Sequence, residues 1–122
     1  MLIQIVLKLF SPDLVGVTVA TVSIGQNLSI TTGNGGDSVS LSHVTASAAS
    51  INTGAGADTV SITSSSAFKT LNVYLGAGND SLTIDSSVTV SQSAYLDGGP
   101  GTNHFFGTGP TGSGKVTKKN FS

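Results

Sequence analysis

The chain has 122 residues, six acidic and five basic side chains, a formal net charge of −1, 16 glycines and no cysteine or tryptophan. That length suits one domain and is short for the strands and helices of a nucleotide-binding enzyme core. The charge gives no electrostatic basis for nucleic-acid binding, and the missing cysteines exclude a disulfide scaffold and a thiolate metal site while leaving the compartment open. All the acids are Asp (13, 37, 58, 80, 85 and 97) and all the bases are Lys, with Ser, Thr and Gly in every segment and few helix formers.

The first segment, LIQIVLKLF, lacks the basic start and small-residue cleavage site of a signal peptide, and its nine residues cannot span a bilayer. Alternation of Ile3, Ile5, Leu7 and Leu9 fits a strand, whereas Leu2, Ile3, Val6, Leu7 and Phe10 would equally make one helical stripe. Either form could close an open end, as a lid over Val17 and Val19 or as an interface for a second copy. Residues 15–24, VGVTVATVSI, then offer Val17, Val19, Val22 and Ile24 at alternating positions.

Three segments that follow align without gaps: TGNGGDSVSLS (32–42), TGAGADTVSIT (53–63) and LGAGNDSLTID (75–85). A fourth, degenerate copy is GGPGTNHFFG (98–107), and the leading glycines at 33, 54, 76 and 99 are spaced by 21, 22 and 23 residues. After each Asp the apolar residues alternate (Val39 and Leu41, Val60 and Ile62, Leu82 and Ile84), which is the period of a half-buried strand. A second alternating run precedes each glycine pair and points Leu28, Ala49, Leu71 and Ala94, then Ile30, Ile51, Val73 and Leu96, inward.

A unit of this size cannot bury its own apolar residues, so stacking like units is the route to a core. The predicted fold is all-β: a right-handed parallel β-solenoid of about five tiers. Residues 1–14 form an N-terminal cap or capping strand, 15–107 the repeat solenoid, and 108–122 a C-terminal turn and closing strand. Gly-x-Gly marks a tight corner, because glycine takes left-handed dihedrals without steric cost. The segments SHVTASAAS, TSSSAFKT and DSSVTVSQS read as a loose opposite corner of variable length.

Stacking would place Asp37, Asp58 and Asp80 above one another at the inter-strand distance, where like charges repel by roughly 1 to 4 kcal/mol depending on the dielectric. Two things could compensate. One is a hard divalent cation, which takes carboxylate and carbonyl oxygens; the other is a turn role in which each Asp caps its own corner.

The motifs GNGGDSVSL, GAGADTVSI and GAGNDSLTI, with the LDGG lead-in at 96–99, resemble the RTX (repeats-in-toxin) family of secreted bacterial calcium-binding repeats. The resemblance implies calcium held between successive turns by Asp37, Asp58 and Asp80 with carbonyls of Gly35, Gly56 and Gly78, and a weaker site where Asn103 replaces Asp. It also implies an extracellular or cell-surface location. Two departures stand out: one motif per 21 to 23 residues where the family has one per nine, and T-G or L-G where the family has G-G. At most one edge of the solenoid could carry metal.

The stretch GPTGSGKV (109–116) matches part of the phosphate-loop pattern, but Val116 stands where Ser or Thr is wanted and only six residues follow, so a turn is expected and no nucleotide site. His43 and His104 fall at different unit positions, with no second ligand or base beside either. The functional expectation is a noncatalytic structural or adhesive module stiffened by calcium, with itself or cell-surface polymers as partners. An ice-binding or surface-binding Ser/Thr-rich solenoid is the alternative, and a β-helix carbohydrate-active enzyme fragment the third.

Overall fold

The computed structural model describes residues 5–11 and 14–122, giving residues 7–11 by their backbone alone. Nine strands make up the described chain: β1 (Ile5–Ser11), β2 (Gly16–Gly33), β3 (Ser38–Asn52), β4 (Thr59–Thr63), β5 (Ala67–Tyr74), β6 (Ser81–Ile84), β7 (Thr89–Asp97), β8 (His104–Phe106) and β9 (Lys115–Lys119). Every strand pairing is parallel, and the strands stack as a β-solenoid of about five turns. The described residues form no helix, hence none long and apolar enough to cross a membrane.

Register follows the repeat. Val17, Val39, Val60, Leu82 and Phe105 form one inward column, and Leu28, Ala49, Leu71, Ala94 and Val116 another. Ile30, Ile51, Val73 and Leu96 form a third, and its members are 0–1% exposed. Because alternate residues of a strand face opposite sides, the Ser and Thr between these positions are turned outward.

The segments read as a loose corner instead contain a further strand run. Val22, Val44, Ser66 and Val88, then Ile24, Ala46, Phe68 and Val90, are in register, and all but Val22 are buried. Val44–Ala46 lies within β3, while Phe68 and Val90 lie in β5 and β7. The period-two signal is present in VTA, SAF and VTV but is weakened by Ser66, Ala46 and the surrounding serines. The true bend is shorter. It falls at Thr21, His43 and Ser64–Ser65, non-glycine residues at φ 54°, 53°, 59° and 60°.

The N-terminal segment takes the strand form of the two that its sequence left open. β1 is a strand, and it pairs with the end of β2, Ile5 with Leu28 and Lys8 with Thr31. It therefore continues the Leu28 column, with Ile5 packed on the core, and does not fold over Val17 and Val19. At the other end Phe105 meets Phe121 edge-on at 5.8 Å and Lys118 lies over the Phe105 ring, so aromatic surface covers the last tier.

Candidate functional site

Each glycine corner brings successive tiers into backbone contact. Gly54 has φ +92°, and a Cβ added there would fall inside the contact radius of Gly33 O. Gly76 stands in the same relation to Gly54, and Gly99 to Gly76. Side-chain-free backbone at these positions is thus required by the tier below as much as by dihedral preference. Ala55 N–H donates to Gly33 O at 3.0 Å and Ala77 N–H to Gly54 O at 2.9 Å, which locks the corners together.

The same corner turns the Asp side chains inward. Asp37, Asp58, Asp80 and Asn103 are 2%, 1%, 0% and 1% exposed, so the column is as buried as the aliphatic core. One side-chain oxygen of each rung accepts a backbone N–H from the preceding tier: Val15 N–H to Asp37 Oδ1 (3.0 Å), Asp37 N–H to Asp58 Oδ1 (2.8 Å), Asp58 N–H to Asp80 Oδ1 (2.9 Å) and Asp80 N–H to Asn103 Oδ1 (3.0 Å). The side chains form a ladder between tiers that satisfies amides the strand pairing leaves over.

The second oxygen is different. Oδ2 of Asp37, Asp58 and Asp80 is buried with no hydrogen-bond partner. Loss of hydration pushes the Asp58 and Asp80 carboxyls above the ordinary carboxylate range. For Asp58 the neighbouring Asp80 and Asp37 charges add to this, and the Asp37 N–H opposes it. The Thr53 hydroxyl, which also reaches Leu75 O at 2.9 Å, opposes it as well. Asp97, on the outside of the last corner, behaves oppositely. Its partial burial is outweighed by the Gly99 N–H, the Asn120 amide and Lys119, which hold its carboxyl below the usual range.

The site therefore brings together Asp37, Asp58, Asp80 and Asn103 beside the stacked glycine backbone of the corner. The carbonyl oxygens of Gly35, Gly56 and Gly78 abut the backbone of Gly56, Gly78 and Gly101 in the following tier, with no room for a Cβ between them. Among the described residues no three acidic or imidazole groups converge on a point where they could hold a metal ion. Calcium requires six to eight oxygens at about 2.3 to 2.6 Å. One free carboxylate oxygen per tier, facing an enclosed interior, is a poor fit for that ion in this arrangement.

Other residues singled out from the sequence lie apart. His43 occupies the exposed bend of the second tier, and His104 is exposed in β8 beside Phe106 at 6.1 Å. Lys115 begins β9, a strand paired to β7, where a phosphate loop would lead into a helix. Sequence reasoning missed the buried hydroxyl partners: Thr32 Oγ1 donates to Thr53 O, and Ser66 Oγ accepts Val44 N–H while donating to Thr63 O. Their signal was positional, since Thr32 and Thr53 precede the glycine at the same place in their units.

The fold defines the class, a parallel β-solenoid with a buried Asp/Asn column at one corner. Comparison with protein-family models, with curated proteins and with solved structures found no match.

Proposed function

We propose that the protein is a noncatalytic structural module of the extracellular space or cell surface, whose outward hydroxyl faces adhere to a periodic polar partner. The observation that carries this reading is the outer face of the run that follows each Asp. Thr18, Ser40, Ser61 and Thr83 succeed one another in register, flanked by Ser38, Thr59 and Ser81 on one side and Ser42 and Thr63 on the other. Tier spacing of about 4.8 Å and a two-residue step of about 6.6 Å make this a regular lattice of groups that both donate and accept hydrogen bonds. A polysaccharide presents hydroxyls on a comparable repeat, and the stacked corners keep the protein's lattice rigid. The outside location rests on the likeness to secreted glycine–Asp repeats.

Ice or a mineral surface is the second reading, favoured by the same periodicity. Against it, the lattice ends at Phe106 and Asp85, which continue the Ser61–Thr83 and Ser42–Thr63 columns. Stiffening by calcium at Asp37, Asp58 and Asp80 is the sequence-derived extension of the first reading; the unpartnered Oδ2 atoms favour some positive partner, while the lack of three converging acidic or imidazole groups among the described residues disfavours that ion.

Cosedimentation with insoluble cellulose, chitin and peptidoglycan tests the proposal. The full chain should pellet with at least one polymer, and Ser40→Lys with Ser61→Lys should remove most of that binding while leaving the melting temperature nearly unchanged. Binding that survives the double substitution, or none to any polymer alongside inhibition of ice recrystallisation, would move the function to the second reading.

A further inference from the structure

The third strand run of each tier, the one that leads into the glycine corner, turns two columns of side chains outward. Ser29, Ser50, Asn72 and Tyr95 succeed one another in the first, and Asn52, Tyr74 and Asp97 in the second. The two tyrosines stand diagonally across neighbouring tiers, with ring centroids 5.7 Å apart and planes tilted by 41°. Such a cross-strand pair supports the sheet, yet Tyr74 remains 41% exposed, in a column where Asn52 precedes it and Asp97 follows.

The column that reaches Tyr95 begins in a groove of about 340 Å³ lined by Asn27, Ser29, Ser50 and Asn72, with Val6 at one end. From Ser29 to Tyr95 is three tier steps, about 14 Å. The groove thus leads along the solenoid axis from hydroxyls and amides to an aromatic platform. Beside that platform, Asp97 Oδ1 accepts Gly99 N–H at 2.9 Å and Asn120 Nδ2 at 2.7 Å. Its Oδ2 receives the Tyr95 hydroxyl at 3.5 Å, a bond long enough to give way to a better donor.

We propose that this groove and the Tyr74–Tyr95 pair bind a single chain of a neutral polysaccharide with equatorial linkages, one pyranose ring lying on the tyrosines and its neighbours hydrogen-bonded along Asn72, Ser50 and Ser29.

A pyranose whose substituents are equatorial has apolar C–H faces and a rim of hydroxyls. Its face matches an exposed phenol ring, whose own face is apolar and electron-rich. Its rim hydroxyls both donate and accept, as do the amides and hydroxyls of the groove. Other ligand classes meet less here. A peptide captured by strand addition needs an open sheet edge, whereas β5 and β7, which carry the tyrosines, lie inside the order β3-β5-β7-β9. A nucleic acid or other polyanion would face Asp97, and Lys119, in register with it, is already drawn to that carboxylate. An apolar ligand would strip Asn52 and Asn72 of water without replacing it. This site lies on a different strand run from the hydroxyl lattice and goes beyond it: the lattice offers many equal contacts to a polymer surface, and the groove takes one chain.

The chain has two tyrosines and no tryptophan, so its fluorescence beyond the phenylalanine region comes from Tyr74 and Tyr95 alone. The test is titration of the full chain with soluble cellohexaose, xylohexaose and chitohexaose, followed by that emission. At least one sugar should give a saturable change, and a sulfated hexasaccharide none. Tyr74→Leu should weaken the binding by about tenfold or more. Leucine keeps an apolar cross-strand contact, so the melting temperature should hold, and Tyr95 keeps the signal. Asn72→Ala, on the groove floor, should weaken binding as well, while Ser40→Lys with Ser61→Lys should leave it unchanged. No saturable change with any neutral sugar, undiminished binding in Tyr74→Leu or in Asn72→Ala, or a response confined to the sulfated sugar would overturn the proposal. Binding lost in the Ser40 and Ser61 double variant would also overturn it, while supporting the lattice as the polymer site.

Discussion

Two of the places at which the solenoid turns its chain are built on opposite terms. At the Gly-x-Gly corner the tiers touch through bare backbone, and the Asp/Asn column below links each tier to the next through a side-chain oxygen. At the bend between the first and second strand runs, Thr21, His43 and Ser64–Ser65 hold left-handed dihedrals with ordinary side chains pointing away from the stack. The corner accepts almost no substitution because its neighbours are backbone atoms that cannot move aside. The bend can vary in residue type and grow from one left-handed residue to two, since solvent takes up the difference.

Substitutions should separate the two edges most sharply at glycine. Gly54→Ala forces a left-handed alanine whose Cβ overlaps Gly33 O, so destabilisation of about 3 kcal/mol or more, or failure to fold, is expected in chemical denaturation. Asp58→Ala comes next. It leaves Asp37 N–H buried without an acceptor and should cost about 1 to 3 kcal/mol by the same measurement, where Asp58→Asn, which keeps an Oδ1 acceptor, should cost less. The smallest effect belongs to the bend: Ser65→Gly removes a left-handed strain while keeping the N–H that donates to Ser87 Oγ, and should lie within about 1 kcal/mol of wild type, on the stable side. A Ser65→Gly loss as large as that of Gly54→Ala would erase the contrast.

That contrast also explains what the sequence made legible. Glycines at 33, 54, 76 and 99 recur because each meets the same backbone atom of the tier before or after, so a constant geometry leaves a constant residue. The inward columns through Leu28 and Ile30 were readable because alternation beside the corner is strict. The bend at Thr21, His43 and Ser64 left no common residue, since a left-handed position open to solvent can be met by several polar side chains. With the bend hidden, the strand run through Val44, Phe68 and Val90 was absorbed into a supposed loop. Stacking of the Asp residues followed from spacing alone, but their inward aim did not. Whether a carboxylate meets solvent or core depends on the turn geometry, and Asp at a glycine corner is compatible with either. N-terminal alternation left a strand and a helix equally open, and its parallel pairing to β2 depends on a partner more than twenty residues away.

The claim on which the rest depends is that the Asp side chains face inward and hold the amides of the preceding tier. Amide hydrogen exchange at Asp37, Asp58 and Asp80 measures this directly in the full chain without added metal. Exchange as slow as at the core amides of Leu41 and Ile62, and unchanged by calcium or excess chelator, is the predicted result. Fast exchange at these three amides that becomes slow only when calcium is added would contradict it.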